Sequence, residues 1–290
     1  MSFKKINLLI MKEKLKTFLK DLQLYHPLQS FYRTCILFWL KSYYRLTYYP
    51  YKGKGFICNF CGSSYQKFVP EYPAKEIAMA INTNEVIAGY GENVFCPNCL
   101  SKNRERLVLA FLQSFIPVEN RKILHFSPEK HLYNYLKNKA AVTTVDIMPG
   151  FYKNIDSKIL YADATNLRFP DNSFDVIIAN HIFEHIPQDS LAMKEIYRVL
   201  KSDGAAILQV PYSEKSETTI EEPFINDPKK QERLFGQKDH VRIYALKDYV
   251  NRLKEAGFKV NVIGEEKLQR FKIHAIQDKE CVILCSKYFF

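Results

Sequence analysis

Four of the chain's seven cysteines form two C-x-x-C pairs, Cys58 with Cys61 and Cys96 with Cys99. Paired thiolates of this kind suit a tetrahedral Zn²⁺ with sulfur about 2.3 Å away. Four of them close the coordination shell, so the metal expected here is structural. In a reducing compartment such pairs point to metal before disulfides. Gly62 after the first pair, and Pro97 and Asn98 inside the second, supply the tight turns. The 34 residues from 62 to 95 exceed the about 15 to 20 usual between the pairs of a zinc ribbon, so an inserted segment must fill the gap. Cys281 and Cys285 sit in an apolar run and read as core residues.

A second set of residues could move protons. Asn180, His181, Glu184 and His185 stand close together, and Asp239, His240 and Arg242 stand together further on. An imidazole beside a carboxylate can take a proton from a hydroxyl or an amine. His240, next to Asp239, is the first candidate base and His185 the second. Each also has a structural reading, His185 as a cap on its turn and His240 as a latch on its segment. Arg242 could bind an anionic substrate group or pair with a nearby acid.

These groups need a scaffold. From Arg121 onward short apolar runs alternate with helical stretches, the pattern of a doubly wound α/β domain with a mostly parallel, Rossmann-like sheet. Strands are expected at 122–126, 141–146, 159–162, 174–179 and 205–210, then at 259–263 and 281–286 as an antiparallel hairpin. Helices are expected over 129–137, with Ser127 and Pro128 as cap and first turn; over 189–200, capped by Gly204; and over 244–256, ending at Gly257. Ligands of such sheets sit beyond the carboxyl ends of the strands, at the switch point beside the first strand. Asp146, 19 residues beyond Ser127, closes the second strand and can accept hydrogen bonds from both hydroxyls of a ribose. The polar stretch from Tyr212 to Tyr244 follows the fifth strand and is positioned as a substrate lid.

Asp146 closing strand two, Asp163 and Ala164 after strand three, Phe174 and Asp175 opening strand four, the run from Asn180 to His185, and the run from Leu200 to Gly204 together resemble class I S-adenosylmethionine-dependent methyltransferases, in particular the small-molecule "type 11" group. That resemblance covers about residues 121–286. A closer one, which also takes in the cysteine pairs, is to bacterial members with an N-terminal double C-x-x-C and the signatures Leu124 to Pro128 and Phe235 to Arg242, often found beside surface-glycan genes. The resemblance implies an S-adenosyl-L-methionine site made by Phe126, Ser127, Pro128, Asp146, Asp163, Ala164, Asn180 and His181. Asp163 would accept from the adenine amino group and the Ala164 N–H would meet the ring. Where such enzymes place a G-x-G turn this chain has Phe126 to Glu129, so close approach to the methionine end must be achieved without glycine. Helix N–H groups facing the cofactor carboxylate are expected in its place.

Absences narrow the acceptor. Asn180 is followed by His-Ile-Phe and not by the Pro-Pro-aromatic run of enzymes that methylate exocyclic amines or glutamine amides, and no Pro-Cys nucleophile of the pyrimidine C5 type is present in the body. O-methylation of a sugar in a surface glycan or glycan precursor is the first reading. A ribosomal or transfer RNA substrate is the second, and a non-catalytic zinc-containing scaffold in glycan assembly is the third.

The formal net charge of +11 divides unevenly. Residues 1–54 hold eleven bases against two acids, a net of +9, and the other 236 residues carry only +2. A channel for RNA should place basic charge around the pocket, so this division disfavours nucleic acid. The domains expected are a basic aromatic arm over 1–54, a zinc-binding module over 55–108, and a methyltransferase domain over 109–290 with the lid at about 212–244. In the arm, Leu8, Met11, Leu15, Phe18, Leu19 and Leu22 fall on one helical face, and Pro27 should end that helix. From Phe31 to Tyr51 aromatic residues interleave with Arg33, Lys41 and Arg45. This composition suits the headgroup layer of an anionic membrane, or a helical pair packed on its own core or on a second subunit. No apolar run reaches the roughly 20 residues of a membrane span and no signal-peptide pattern is visible, so a cytoplasmic location is expected, peripheral to the membrane's inner face if the arm binds it.

Overall fold

The segment Phe174–Asn180 is apolar at all but two positions because both of its faces are covered, as a central parallel strand requires. It is β4 of a seven-stranded sheet whose other members are β1 (Lys122–Phe126), β2 (Ala141–Asp146), β3 (Leu160–Tyr161), β5 (Leu200–Gln209), β6 (Lys259–Ile263) and β7 (Val282–Ser286). Their spatial order is β3-β2-β1-β4-β5-β7-β6, with β1 to β5 parallel and β7 antiparallel to both neighbours. Connections run outward in both directions from β1 and β4. This is the doubly wound, Rossmann-like α/β sheet, with its switch point between those two strands.

Successive side chains of a strand serve opposite faces. Ile177 and Ala179 join Leu124, Phe126, Leu208 and Ile283 under helices Asp189–Val199 and Leu246–Glu255, which contribute Met193, Ile196, Tyr249 and Leu253. Val176 and Ile178 join Ile123, Ile207 and Val282 under helices Asn103–Phe115 and Lys130–Leu136. Each fully buried Leu, Ile or Phe here contributes about 1.5–3 kcal/mol relative to exposure, so the sheet is a rigid floor for whatever sits at its carboxyl edge.

The computed structural model describes residues 25–288, and the chain divides into two compact units, residues 1–49 and 50–290. In the first unit the expected helix around Leu8 to Leu22 lies outside the described residues. Pro27, where that helix was expected to end, lies in the first turn of the described helix Tyr25–Thr47. From Cys35 to Tyr49 every side chain is exposed or half-buried, including Phe38, Trp39, Tyr43 and Leu46, so this stretch has no core of its own. No helix among the described residues is long and apolar enough to cross a membrane.

The second unit contains both the cysteine segment and the sheet. Arg106, wholly buried, fastens one to the other: its guanidinium donates to the carbonyls of Asn93, Val94 and Ser101 on one side and of His274 and Ala275 on the other. The segment inserted between the cysteine pairs and the expected lid fold together. Strands Ile220–Glu221, Arg242–Ala245 and Tyr212–Ser213 pair in that order, and Val86–Ile87 from between the cysteine pairs completes the sheet. Ala80 and Val86 pack on Phe235 and Ile243. The helix Pro228–Phe235 is capped at its start by the Asp227 side chain and at its end by Gly236 at a φ of 85°. The stretch read as a polar lid is therefore a folded subdomain with an apolar core.

Two local expectations change. Gly204 is no helix cap but part of β5, and helix Asp189–Val199 ends at an extended Leu200. A Cβ on Gly204 would stand 2.8 Å from Leu200 Cδ1 and 3.0 Å from the Asp175 carbonyl oxygen, so the glycine is needed for close approach of backbone. Helix Lys130–Leu136 starts at Glu129 with no side-chain cap, and Ser127 takes up the left-handed region at a φ of 44°. Seven residues starting there do not make the extended anion-binding helix terminus that the first loop was expected to supply.

Candidate functional site

The two cysteine knuckles are copies of one another in backbone. In the first, Gly62 N–H donates to the Cys58 carbonyl and Cys58 N–H to the Ser63 carbonyl; in the second, Leu100 donates to Cys96 and Cys96 to Ser101. Gly62 and Leu100 both take positive φ, 69° and 67°. Cys58 Sγ lies 3.6 Å from Cys99 Sγ and Cys61 Sγ lies 3.7 Å from Cys96 Sγ. A tetrahedron with metal–sulfur bonds of about 2.3 Å has edges of about 3.8 Å, so the four sulfurs are already arranged for a Zn²⁺-sized ion. His131 ties this site to the body, with Nδ1 at 3.0 Å from Glu105 and Nε2 at 2.9 Å from the Cys99 carbonyl.

At the carboxyl end of β2, Asp146 accepts from Ser127 Oγ at 2.6 Å and from Met148 N–H at 2.6 Å. The positive φ of Ser127 is what brings its hydroxyl across to this carboxylate. Asp163 accepts from the Thr165 N–H and hydroxyl through Oδ1, which fixes its turn. Ala164 packs against the core beneath it, and Phe126 and Pro128 are buried.

Sequence reasoning missed two residues at this end. Glu129 fills the loop where glycine was absent: its carboxylate accepts from Asn180 Nδ2 at 3.0 Å and lies 2.8 Å from His125 Nε2. Burial alone would raise its pKa, but the His125 contact, the Arg104 charge and the Asn180 hydrogen bond outweigh it and lower it. A buried, ionised carboxylate at the switch point can hold an ammonium group. Arg104, from the start of helix Asn103–Phe115, bears on Glu129, His181 and Glu280 by its charge, and its Nε is buried with no hydrogen-bond partner. A guanidinium so placed can hold a carboxylate. The signal available in the sequence was Arg104 and Arg106 directly after the second cysteine pair, but nothing in the spacing brings that segment to the end of β4.

Beyond β4 the chain turns sharply. His181 sits at a φ of 54° and its N–H donates to the Gln209 carbonyl. His181 Nδ1 lies 3.5 Å from Glu184 Oε1, and burial lowers the His181 pKa. Glu184 is nearly inaccessible. Burial would raise its pKa, but the His181 contact and the neighbouring imidazoles hold it at about 2. Across from it stands His240, only 5% exposed, whose pKa burial lowers to about 4. His185 meets the His240 ring edge-on at 4.6 Å and pairs with Asp239 at 3.3 Å. Burial works against its protonated form, but Asp239 and Glu184 outweigh that and raise its pKa.

Burial thus works against a proton on His240, whereas Asp239 and Glu184 favour one on His185. Of the two roles offered by the sequence for Arg242, it takes the pairing with a nearby acid. It is 1% exposed, and its guanidinium donates to Glu221 and to the carbonyls of Phe183, Ile186 and Pro187. It faces no substrate; it holds the turn after β4 against the strand Arg242–Ala245. Tyr244 reinforces the joint by donating to Asp189 at 2.6 Å.

Residues 129–208 match the family model described as a methyltransferase domain, a stretch that runs from Glu129 to β5. Among curated proteins, the chain is 28% identical over 110 residues to the uncharacterized methyltransferase YcgJ of Bacillus subtilis, covering 38% of this chain and 39% of that one. It is 29% identical over 113 residues to phosphoethanolamine N-methyltransferase 1 of Arabidopsis thaliana, covering 38% and 20%. It is 34% identical over 81 residues to the demethylmenaquinone methyltransferase of a Geobacillus strain, covering 28% and 34%. The chain thus spans well under half the length of these relatives. Solved structures similar to it include the methyltransferase in complex with the Haloferax volcanii Trm112 activator, at a TM-score of 0.47 and 15% identity over 64% of this chain and 92% of that one. An S-adenosylmethionine-dependent methyltransferase from Mesorhizobium loti gives 0.45 and 13% over 62% and 97%. The family match and the sheet order support a class I S-adenosylmethionine-dependent methyltransferase domain in this chain.

Proposed function

We propose that the chain transfers a methyl group from S-adenosyl-L-methionine to a hydroxyl of a sugar in a surface glycan or glycan precursor. One observation carries the reading: a line of polar groups crosses the carboxyl ends of β1 and β4, with Arg104 and Glu129 at one end and Glu184, His185 and Asp239 at the other. Glu129, Glu184 and His185 lie inside the region that matches the methyltransferase model, and Arg104 and Asp239 join them from outside it. At the first end Asp146 holds the ribose, Asp163 the adenine amino group, Glu129 the α-ammonium and Arg104 the α-carboxylate of the cofactor. Asn180 and His181 line the passage between the ends.

The transfer is an in-line displacement. The acceptor oxygen forms a bond to the sulfonium methyl as the carbon–sulfur bond breaks, and S-adenosylhomocysteine leaves with the electron pair. The acceptor's proton passes to the His185 imidazole, with Asp239 behind it to stabilise the imidazolium. The four cysteines hold a structural zinc that fixes helix Asn103–Phe115, and with it Arg104. The enzyme works in the cytoplasm, with residues 1–54 attaching it to the anionic inner face of the membrane through exposed Phe38, Trp39 and Tyr43 and through basic charge.

The test compares wild-type and deletion cells for loss of one methyl mass from surface polysaccharide and from ribosomal and transfer RNA. Loss from polysaccharide alone is expected. Loss from RNA alone would replace the sugar by a nucleotide. Flotation with anionic vesicles tests the arm: equal recovery with and without residues 1–54 would remove the membrane from the account.

A further inference from the structure

Two buried atoms of the acceptor-side cluster have no hydrogen-bond partner: His240 Nε2 and Glu184 Oε2. His240 Nδ1 lies 3.3 Å from the Phe235 carbonyl, which can only accept, so Nδ1 carries the proton and Nε2 presents a lone pair. That lone pair looks at Glu184 Oε1 from 3.9 Å, too far for a hydrogen bond. Two acceptor groups thus face each other inside the protein, and the second oxygen of that carboxylate, Glu184 Oε2, is itself unpartnered, an arrangement that is unfavourable unless something positive stands between them. His185 completes the ring of donors. One ligand atom from each of Glu184, His185 and His240 can be chosen so that all lie within 4.8 Å of one another.

We propose that Glu184, His185 and His240 bind a divalent transition-metal ion, separate from the cysteine site. Two imidazoles and one carboxylate are the donor set of Zn²⁺, Fe²⁺, Co²⁺ or Mn²⁺, and three protein ligands leave positions open for an oxygen of the acceptor. The surroundings are those of a built site. Metal-bound histidines use one ring nitrogen on the ion and the other on a carboxylate or carbonyl. Here His240 Nδ1 is engaged by the Phe235 carbonyl, and His185 Nδ1 by Asp239 at 3.3 Å. The two halves of the site are 55 residues apart in sequence and are held in register by backbone and side chain alike. Val241 N–H donates to the Glu184 carbonyl at 2.9 Å, and Arg242 grips the carbonyls of Phe183, Ile186 and Pro187. Ligand atoms about 2.1 Å from one ion stand about 3.4 Å apart, against 3.9 Å between His240 Nε2 and Glu184 Oε1 and at most 4.8 Å for any pair, so the three ligands must draw together to close on an ion. With the ion in place His185 is a ligand, and removal of the acceptor's proton passes from its ring to the ion, which lowers the pKa of a bound hydroxyl.

Metal content tests this independently of whether methyl transfer is the reaction. The full chain is produced with Co²⁺ as the only transition-metal ion supplied, so that the cysteine site stays loaded, and its bound Co²⁺ is counted. Two equivalents are expected: one with the intense thiolate-to-cobalt absorption of four cysteines, and one with only weak visible bands. Glu184→Gln and His240→Ala should each lose the second equivalent and keep the first, and Asp239→Asn should bind the second roughly 10–100-fold more weakly. The wild-type stoichiometry needs no variant, so a misfolded variant leaves the test intact. A single equivalent in wild type, all of it with thiolate absorption, would overturn the proposal and leave a bridging water in that space.

Discussion

The cysteine site and the histidine site are both clusters of metal-ligating side chains, yet they are specified in opposite ways. Each cysteine pair is local. Its two sulfurs are placed by one turn of backbone, and Gly62 and Leu100 set the same hand in both knuckles. The histidine site is built by topology: Glu184 and His185 come from the turn after β4, His240 from the far side of the inserted subdomain, and Arg242 holds the two together. The cysteine site has sulfurs 3.6 and 3.7 Å apart across the two knuckles, whereas in the histidine site His240 Nε2 and Glu184 Oε1 stand 3.9 Å apart. A local motif can stay rigid without a substrate; an assembled one can change occupancy during a reaction.

The largest effect should come from the local site. Replacing Cys58 and Cys96 by serine removes one ligand from each knuckle, and a structural zinc in small modules contributes about 10 kcal/mol or more. Unit 50–290 should lose cooperative thermal unfolding in calorimetry; an unchanged Tm would mean the cysteines are mere core residues. Next is the clamp of the assembled site. Arg242→Ala leaves three carbonyls and Glu221 without their donor in a buried setting, with an expected loss of about 3–5 kcal/mol in denaturant unfolding. Arg242→Lys should not restore it, because an ammonium cannot reach four acceptors in a fork.

Glu280 sharpens the contrast, since it is a buried acid with nothing to hold. Burial pushes its carboxyl up to about 7, against the pull of the Arg104 and Arg106 charges. Because the folded pKa is raised, the protonated form is favoured in the fold. Stability is full below the ordinary value and falls as pH rises from there through about 7, by about 3 kcal/mol in all. Glu280→Gln should flatten that slope in urea unfolding between pH 4.5 and 8; an unchanged slope would mean another group carries it. The smallest effect on the fold, and the most selective, is Arg104→Ala. Losing one charged hydrogen-bonding partner of the cofactor carboxylate should weaken S-adenosylmethionine binding by about 10–100-fold in calorimetric titration, with the Tm little changed.

What could be read in the sequence follows the same division. β1, β2 and β6 fall where apolar alternation and turn residues put them, because a strand's burial is decided by its own side chains. The cysteine ligands were legible for the same reason. Gly204 was misread because a glycine after a helix has two uses, and only the approach of Leu200 and the Asp175 carbonyl shows which one applies. Ser127 and Pro128 were misread as a helix cap because Glu129, 2.8 Å from His125 and 3.0 Å from Asn180, was not visible as their neighbour. The lid was misread because its apolar partners, Ala80 and Val86, lie in another puzzling insertion more than a hundred residues away. The two insertions share one core, each supplying part of it to the other.

The most direct measurement is isothermal titration of S-adenosyl-L-methionine and S-adenosylhomocysteine into the wild-type chain and into Asp146→Ala. A cofactor seated at the β1–β4 switch point predicts one molecule bound per chain, with binding lost or greatly weakened in Asp146→Ala while the variant's Tm stays close to wild type. No heat of binding to a folded wild-type chain, or equal binding by the variant, would contradict it.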